Sequence, residues 1–361
     1  MNTLESLKDA LIGCLLGTAV GDALGLPMEG LSRQRQPKIF PNIDGYHFLF
    51  GKGMISDDTE HACITAQALI AAWGAEGEVG LVSEKEFIAS LTKRLKLWLL
   101  ALPAAAGYAT LRSLLKLWLG VSYKRSGVFS AGNGPAMRSA VIGVACGDDF
   151  PTMRTLVSLS TIITHTDPKA GEGALAVALA ASMASRHIDN PNEFLERLDM
   201  LTDGQDFKAL VKAALSSAIS GQTTEAFAAS IGLERGVSGY IYHTVPVVLH
   251  AWFRHPADYK AAITAAIRCG GDTDTVAAIL GGIIGARVGK AGIPTKYIHD
   301  LFDWPVSARW IENLGAALAE AKATGTRHKP PEFSFLGKLL RNIAFLFVVL
   351  VHGFRRMFPP Y

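Results

Sequence analysis

The stretch IRCGGDTDTVAAILGGIIGARVG, Ile267 to Gly289, sets Asp272 and Asp274 at the head of a run that is otherwise almost wholly apolar and small. Alanine favours the helix, and small side chains let helices pack closely. The run therefore reads as a buried helix that opens on two carboxylates. Similar alanine-rich stretches recur along the chain: HACITAQALIAAW, GEGALAVALAASMAS, LVKAALSSAI and AAITAAI. Near the start, Leu4, Leu7, Leu11, Cys14 and Leu15 follow the three-and-four spacing of an amphipathic helix. Alternation of apolar and polar residues is hard to find, so strands should be few. The fold expected is a large all-α globule, with loops at LPMEGLSRQRQPKIFPNIDG, YKRSGVFSAGNGP, THTDP, RGVSG and GTRHKPPEF. LKLWL occurs at Leu95–Leu99 and again at Leu115–Leu119, as two amphipathic helices with similar faces would give.

Composition supports this reading. Hydrophobic residues make up 49% of the 361 residues and charged residues only 19%, which suits a chain that buries many segments. A net charge of +3 gives no strong field, so no nucleic-acid partner is expected. Cys14, Cys63, Cys146 and Cys269 are isolated, with no CxxC pair to suggest zinc. Reduced, buried cysteines fit a cytoplasmic protein. Leu11 to Cys14, LIGC, has the shape of a lipoprotein cleavage site, but Glu5 and Asp9 spoil the basic head that a signal peptide needs.

The acids at Asp272 and Asp274 admit a simple explanation, helix capping, with carboxylates in the first turn complementing the helix dipole. A second segment changes the balance. ISDDTEHACITAQALIAAW places Ser56, Asp57 and Asp58 before another apolar helix. Four buried carboxylates repel one another and are costly when unpaired. Two divalent cations would neutralise them, and oxygen ligands select Mg²⁺, Mn²⁺ or Ca²⁺. Gly270 and Gly271 allow a tight turn beside the second pair.

Other pieces suit a phosphate-bearing ligand. AGNGPAMR, Ala131 to Arg138, sets Gly132, Asn133 and Gly134 before a helix start, where free N–H groups bind anions or simply form a capped turn. His165 and Asp167 lie in the THTDP turn, and the histidine reads as structural or as a ligand contact. Tyr240 in SGYIYHTVP either stacks on a base or packs. The tail differs from the body. Its uncharged run, Asn342 to Phe354, is 13 residues long, short of the roughly 20 that span a bilayer. Lys338, Arg341, Arg355 and Arg356 flank it. A docked terminal helix and a helix for a membrane surface or partner are both open readings.

Taken together, GCLLGTAVGDALGLPMEG, SDDT, AGNGPAMR, THTDP, SGYIYHT and GGDTDTVAAILGGIIGA resemble the ADP-ribosylglycohydrolase family, in the family's order over about residues 10 to 290. The two acidic motifs in combination are the specific part. The resemblance implies a single catalytic domain over residues 1–325 with an all-α fold and a binuclear Mg²⁺ or Mn²⁺ cleft, followed by a basic and apolar extension over 326–361. It implies Ser56, Asp57, Asp58, Asp272, Asp274 and Thr275 as metal ligands, and Glu29, in GLPMEG, as an acid that reaches the centre from a loop. Glu29, Asp58 and Asp272 are then the candidates for proton transfer. Gly132, Asn133, Gly134 and Met137 would line the diphosphate and nearby ribose, with His165, Gly239 and Tyr240 on the adenosine side. The implied reaction is hydrolysis of the bond between ADP-ribose and a protein side chain, arginine first among them. Its use would be reversal of endogenous modification or immunity to an ADP-ribosyltransferase toxin.

Three positions depart from the family pattern. Ser56 stands where threonine is usual and keeps the hydroxyl. Gly30 follows Glu29 where an aromatic is common. Ala105 occupies the place of an aspartate that, in arginine-type enzymes, sits near the scissile bond. Two other classes therefore stand beside the hydrolase: a non-catalytic protein that binds ADP-ribose or occludes a transferase, and a metal-dependent phosphohydrolase acting on free nucleotides.

Overall fold

The computed structural model describes residues 3–48, 50–77, 79–104 and 106–359. The Ala105 substitution lies outside them. Nine helices carry the description that follows. They are α1 (Thr3–Gly25), α2 (Asp57–Ala72), α3 (Glu84–Leu100), α4 (Ala140–Cys146), α5 (Pro168–Ser185), α6 (Ile241–Arg254), α7 (Thr273–Gly292), α8 (Ala308–Thr324) and α9 (Phe335–Arg355). Among the described residues no strand forms; isolated backbone bridges tie loops together instead.

The centre of the molecule is the pair α1 and α7, and glycine decides its geometry. Gly13, Gly17, Gly21 and Gly25 recur every fourth residue on α1. A Cβ on Gly17 would fall inside the van der Waals shell of the Gly281 carbonyl oxygen. Gly13 meets Gly285, Gly21 meets Ala277 and Gly25 meets Thr273 in the same way. The rising and falling numbers show two antiparallel helices in backbone contact along their lengths. Thr273 Oγ1 donates to the Gly25 carbonyl at 2.8 Å, and Tyr259 Oη donates to the Gly17 carbonyl at 2.6 Å. The sequence reading saw small residues here but not this register.

The other helices pack round the pair. α8 lies on α1, α2 on α3 and α8, α4 on α5, and α5 and α6 on α7. One continuous apolar core runs through them, including Leu11, Leu15, Phe87, Leu91, Val177, Trp252 and Ile283. All four cysteines are buried and unpaired. The first LKLWL string lies on α3, and the second closes the helix Tyr108–Trp118, with Leu119 at its C-cap.

The terminal helix α9 docks through its polar side chains. Lys338 pairs with Glu60, and Arg341 pairs with Asp303 while also donating to the Ile55 carbonyl. Asn342 Nδ2 donates to the Ala101 carbonyl at 2.8 Å. Phe345 joins a small apolar cluster with Leu26, Phe48 and Met54. Lys338 and Arg341, which the sequence shows only as charges near an apolar run, therefore face the body.

Candidate functional site

The antiparallel pairing brings the C-terminus of α1 beside the N-terminus of α7. The short turn Leu26–Met28 then delivers Glu29 to the same end as Asp272 and Asp274. Asp22, one turn before the end of α1, fixes the third element. Its Oδ2 accepts from the Ser56 N–H at 2.8 Å, from the Thr59 N–H at 3.2 Å and from the Thr59 hydroxyl. Asp22 thereby holds the start of α2 and places Asp57 and Asp58 opposite α7. No local pattern around Asp22 in GDALG assigns it this role. An acid inside an apolar helix, with no local partner, was the available signal.

Loop bridges complete the frame. The Gly30 N–H donates to the Gly271 carbonyl at 2.7 Å, and the Gly271 N–H to the Leu31 carbonyl at 2.8 Å. Gly271 has φ 82°, and a side chain there would strike the Val237 backbone. The Asp272 N–H donates to the Val237 carbonyl and the Asn133 N–H to the Gly239 carbonyl. Segments far apart in the chain are thus laced into one wall.

Together they enclose a cleft of about 750 Å³. Glu29, Asp57, Asp58, Asp272, Asp274, Thr275, Gly132, Asn133, Gly134, Met137, His165 and Gly239 all line it. Ser56 lies behind Asp58, and its hydroxyl caps α2 by accepting from the Asp58 N–H at 3.2 Å. Tyr240 bridges Gly132 through its backbone, and its ring packs on Tyr242 and His243. Tyr108, Thr110, Arg112 and Phe129 line the cleft too, and the sequence reading had given them no role.

Asp58 Oδ2 accepts from the hydroxyls of Ser56 and Thr275, each at 3.2 Å. Asp272 Oδ2 accepts from Asn133 Nδ2 at 2.7 Å, and the same amide donates to Thr244 Oγ1 at 3.0 Å. Asp272 stands at the N-cap position of α7 but makes no side-chain cap bond, so capping does not account for its carboxylate. Asp58 Oδ1 and Asp274 Oδ1 are buried with no hydrogen-bond partner. Unsatisfied buried carboxylate oxygens are costly and call for a ligand.

The electrostatics agree. Burial first, and the neighbouring acids second, push the carboxyls of Asp57, Asp58 and Asp274 well above the usual range. Asp22 is pushed up to about 6 by burial, against the hydrogen bonds it accepts. Glu29 projects at the exposed rim, yet its carboxyl is raised by partial desolvation in the cleft and by the charge of Asp272. The N-termini of α2 and α7 both open here, so their dipoles offset part of the repulsion. Among the described residues no three His, Cys, Asp or Glu side chains are already drawn together as a metal cage. The donor set is nevertheless of the hard-oxygen type, with two orphaned oxygens, and fits divalent cations.

Behind the opposite wall lies Arg138, fully buried. It donates to Ser160 Oγ at 2.9 Å, to the Ser160 carbonyl at 2.8 Å and to Thr164 Oγ1 at 2.7 Å, and meets His61 Nδ1 at 3.2 Å. Burial, reinforced by this cation, lowers His165 to about 3, so its imidazole is neutral at physiological pH. Gly132 and Gly134 pack on the His165 ring, where any side chain would crowd it.

Comparison with known proteins agrees with this geometry. The sequence model of the ADP-ribosylglycohydrolase family matches residues 3–327. The chain is 26% identical to the ADP-ribosyl-[dinitrogen reductase] glycohydrolase of Rhodospirillum rubrum, over 88% of this chain and 99% of that one. It is 23% identical to the ADP-ribosylarginine hydrolase Tri1 of Pseudomonas putida, over 82% of this chain and 75% of that one. A solved ADP-ribosylglycohydrolase-related protein complex superposes with a TM-score of 0.63 at 26% identity, covering 88% of this chain and 99% of that chain. With a match along nearly its whole length, an all-helical body of the same shape and a cleft where the two acidic motifs meet, this chain belongs to the ADP-ribosylglycohydrolase family.

Proposed function

We propose that the chain is a divalent-cation-dependent hydrolase that cleaves the N-glycosidic bond between ADP-ribose and a modified arginine of a protein. The observation that carries this reading is the meeting of Glu29, Asp57, Asp58, Asp272 and Asp274 in one cleft. Orphaned buried oxygens on two of them support it further. The arginine linkage rests on the Pseudomonas relative's name.

Ser56, Asp57, Asp58, Asp272, Asp274 and Thr275 would hold two Mg²⁺ or Mn²⁺ ions. Such ions, when bound, supply charge neutralisation, orientation of ribose hydroxyls and acidification of a water. The chain's own residues do the rest. Asn133 Nδ2 holds the Asp272 carboxylate. Gly132, Gly134 and Met137 line the cleft and would receive the diphosphate, and neutral His165 beside them adds no charge. Glu29, at the rim and with a raised pKa, is suited to take the proton as water attacks the anomeric carbon. The carbon–nitrogen bond breaks through an oxocarbenium-like state, and the proton passes to the departing guanidine nitrogen.

The test is release of intact ADP-ribose from an arginine-modified protein, followed by mass spectrometry, with Mg²⁺, with Mn²⁺ and with EDTA. Cation-dependent release supports the reading. Tight binding without release would make the chain a binding protein, and a cleaved diphosphate would make it a phosphohydrolase.

Two further results are expected. Asn133→Ala frees Asp272 from its restraint, and activity at limiting cation should fall about 10-fold to 100-fold. Titration of activity with Mn²⁺ measures it; an unchanged curve contradicts the role given to Asn133. The second concerns stability. Because the folded pKa values of Asp57, Asp58 and Asp274 exceed their unfolded ones, their contribution is present below about pH 4 and lost as pH rises through the folded values. Added Mg²⁺ or Mn²⁺ should therefore raise Tm, and raise it more at pH 8 than at pH 5. Calorimetry with and without EDTA checks this, and equal shifts at both pH values would contradict it.

A further inference from the structure

Among the described residues three helices are long and apolar enough to cross a membrane by length and composition. Two are core: in their most apolar 18-residue windows, 94% of the residues of Leu4–Met28 and 72% of those of α7 are buried. In the third, α9, only 22% of the residues of that window are buried. Lys338, Arg341, Asn342 and His352 face inward, onto Glu60, Asp303, the Ala101 carbonyl and the Pro27 carbonyl. Most of its apolar side chains face out, Phe345, Val348 and Val349 excepted. Leu336, Leu340, Ile343, Phe347, Leu350 and Phe354 are each more than half exposed. This inverts the usual arrangement of a surface helix.

The exposed side chains of α9, with Leu346 and Val351, span an arc of about 140° at 3.6 residues per turn. The patch continues beyond the helix. Trp304 and Phe302 are exposed beside its N-terminal end, where Trp304 approaches Gly337, and Leu102 is exposed next to the Asn342 contact. Contiguous apolar surface of this breadth marks an interaction face. No aspartate or glutamate occurs after Glu332, while Arg355 is exposed at the far end of the helix.

We propose that α9 is an in-plane membrane helix that seats the body on an anionic lipid surface. A flat surface covers the whole arc together with Trp304 and Phe302, whereas one partner helix covers only a narrow stripe. Phospholipid headgroups complement an acid-free segment that ends in exposed arginine. Spanning is disfavoured, because Lys338 and Arg341 are committed to buried ion pairs with the body. This inference does not rest on the hydrolase reading.

Flotation of the full chain with vesicles tests it, using phosphatidylcholine alone or with roughly 30% phosphatidylserine. Binding to the anionic vesicles, weaker on neutral ones and released by alkaline carbonate, is expected. The triple variant Leu340→Ser, Phe347→Ser, Phe354→Ser alters exposed positions only and should lose vesicle affinity at least about tenfold while its circular dichroism and Tm hold. Carbonate-resistant binding would show a spanning helix instead. No vesicle binding, whether the chain is monomeric or forms a dimer that the triple variant abolishes, overturns the proposal, as does vesicle binding that survives the triple substitution.

Discussion

Asp58→Asn should abolish turnover and leave the fold standing. The substitution keeps the shape of the side chain, and its amide oxygen can still accept from the Ser56 and Thr275 hydroxyls. What disappears is one negative charge from a cluster that also includes Asp57, Asp22 and Asp272. A hard divalent cation loses a ligand charge, and we expect kcat/KM on ADP-ribosylated protein to fall at least about 1,000-fold, roughly 4 kcal/mol of transition-state stabilisation. The metal-free protein should respond in the opposite sense. Removing a like charge from a buried acidic cluster relieves repulsion, so its Tm in EDTA should hold or rise. The increment in Tm on adding Mn²⁺ should shrink at the same time. A variant that keeps its activity would show that Asp58 is only a structural carboxyl. A variant that loses activity together with its fold would assign Asp58 to the core rather than to the chemistry.

Gly17→Val should prevent folding, or cost more than about 3 kcal/mol if the chain still folds. The reason is geometric. A Cβ at Gly17 meets the Gly281 carbonyl oxygen, which is helix backbone and cannot rotate aside as a side chain can. Relief requires α1 and α7 to separate along their lengths, which opens the core and breaks the Tyr259 and Thr273 bonds to α1. Gly17→Ala should show a smaller loss of the same sign. Gly171 supplies the control. It lies on α5 with open space around its Cβ position, so Gly171→Ala should be neutral or stabilise by up to about 1 kcal/mol. Chemical denaturation of the three variants checks the order. Equal stability of Gly17→Val and Gly171→Ala would remove the close helix contact from the account of this fold. Because that contact also sets Glu29 against Asp274, a partly folded Gly17→Ala should lose activity before it loses helix content.

Much of this was visible in the chain before any coordinates. The helical class follows from alanine-rich runs and three-and-four spacing, which are local properties. The two acidic motifs announce themselves because carboxylates ahead of apolar helices are conspicuous, and the structure brings Asp57, Asp58, Asp272 and Asp274 to one cleft with Glu29. Other assignments needed the fold. Tyr240 reads from the sequence as a stacking or a packing residue, and only the fold shows its ring against Tyr242 and His243. Asp22 looks like an intruder in an apolar helix until Ser56 and Thr59 are seen to donate to it from 34 and 37 residues away.

The helices, their apolar faces and the acids at their starts are legible in the chain, because spacing and composition act over one or two turns. Tertiary structure alone decided which glycine meets which carbonyl, which way the charges of α9 point and whether an acid caps a helix or faces a cleft. Each of those depends on a partner brought close by folding, and an N-terminal carboxylate carries the same local signature whether its oxygen ends on an N–H group or stays free for a ligand.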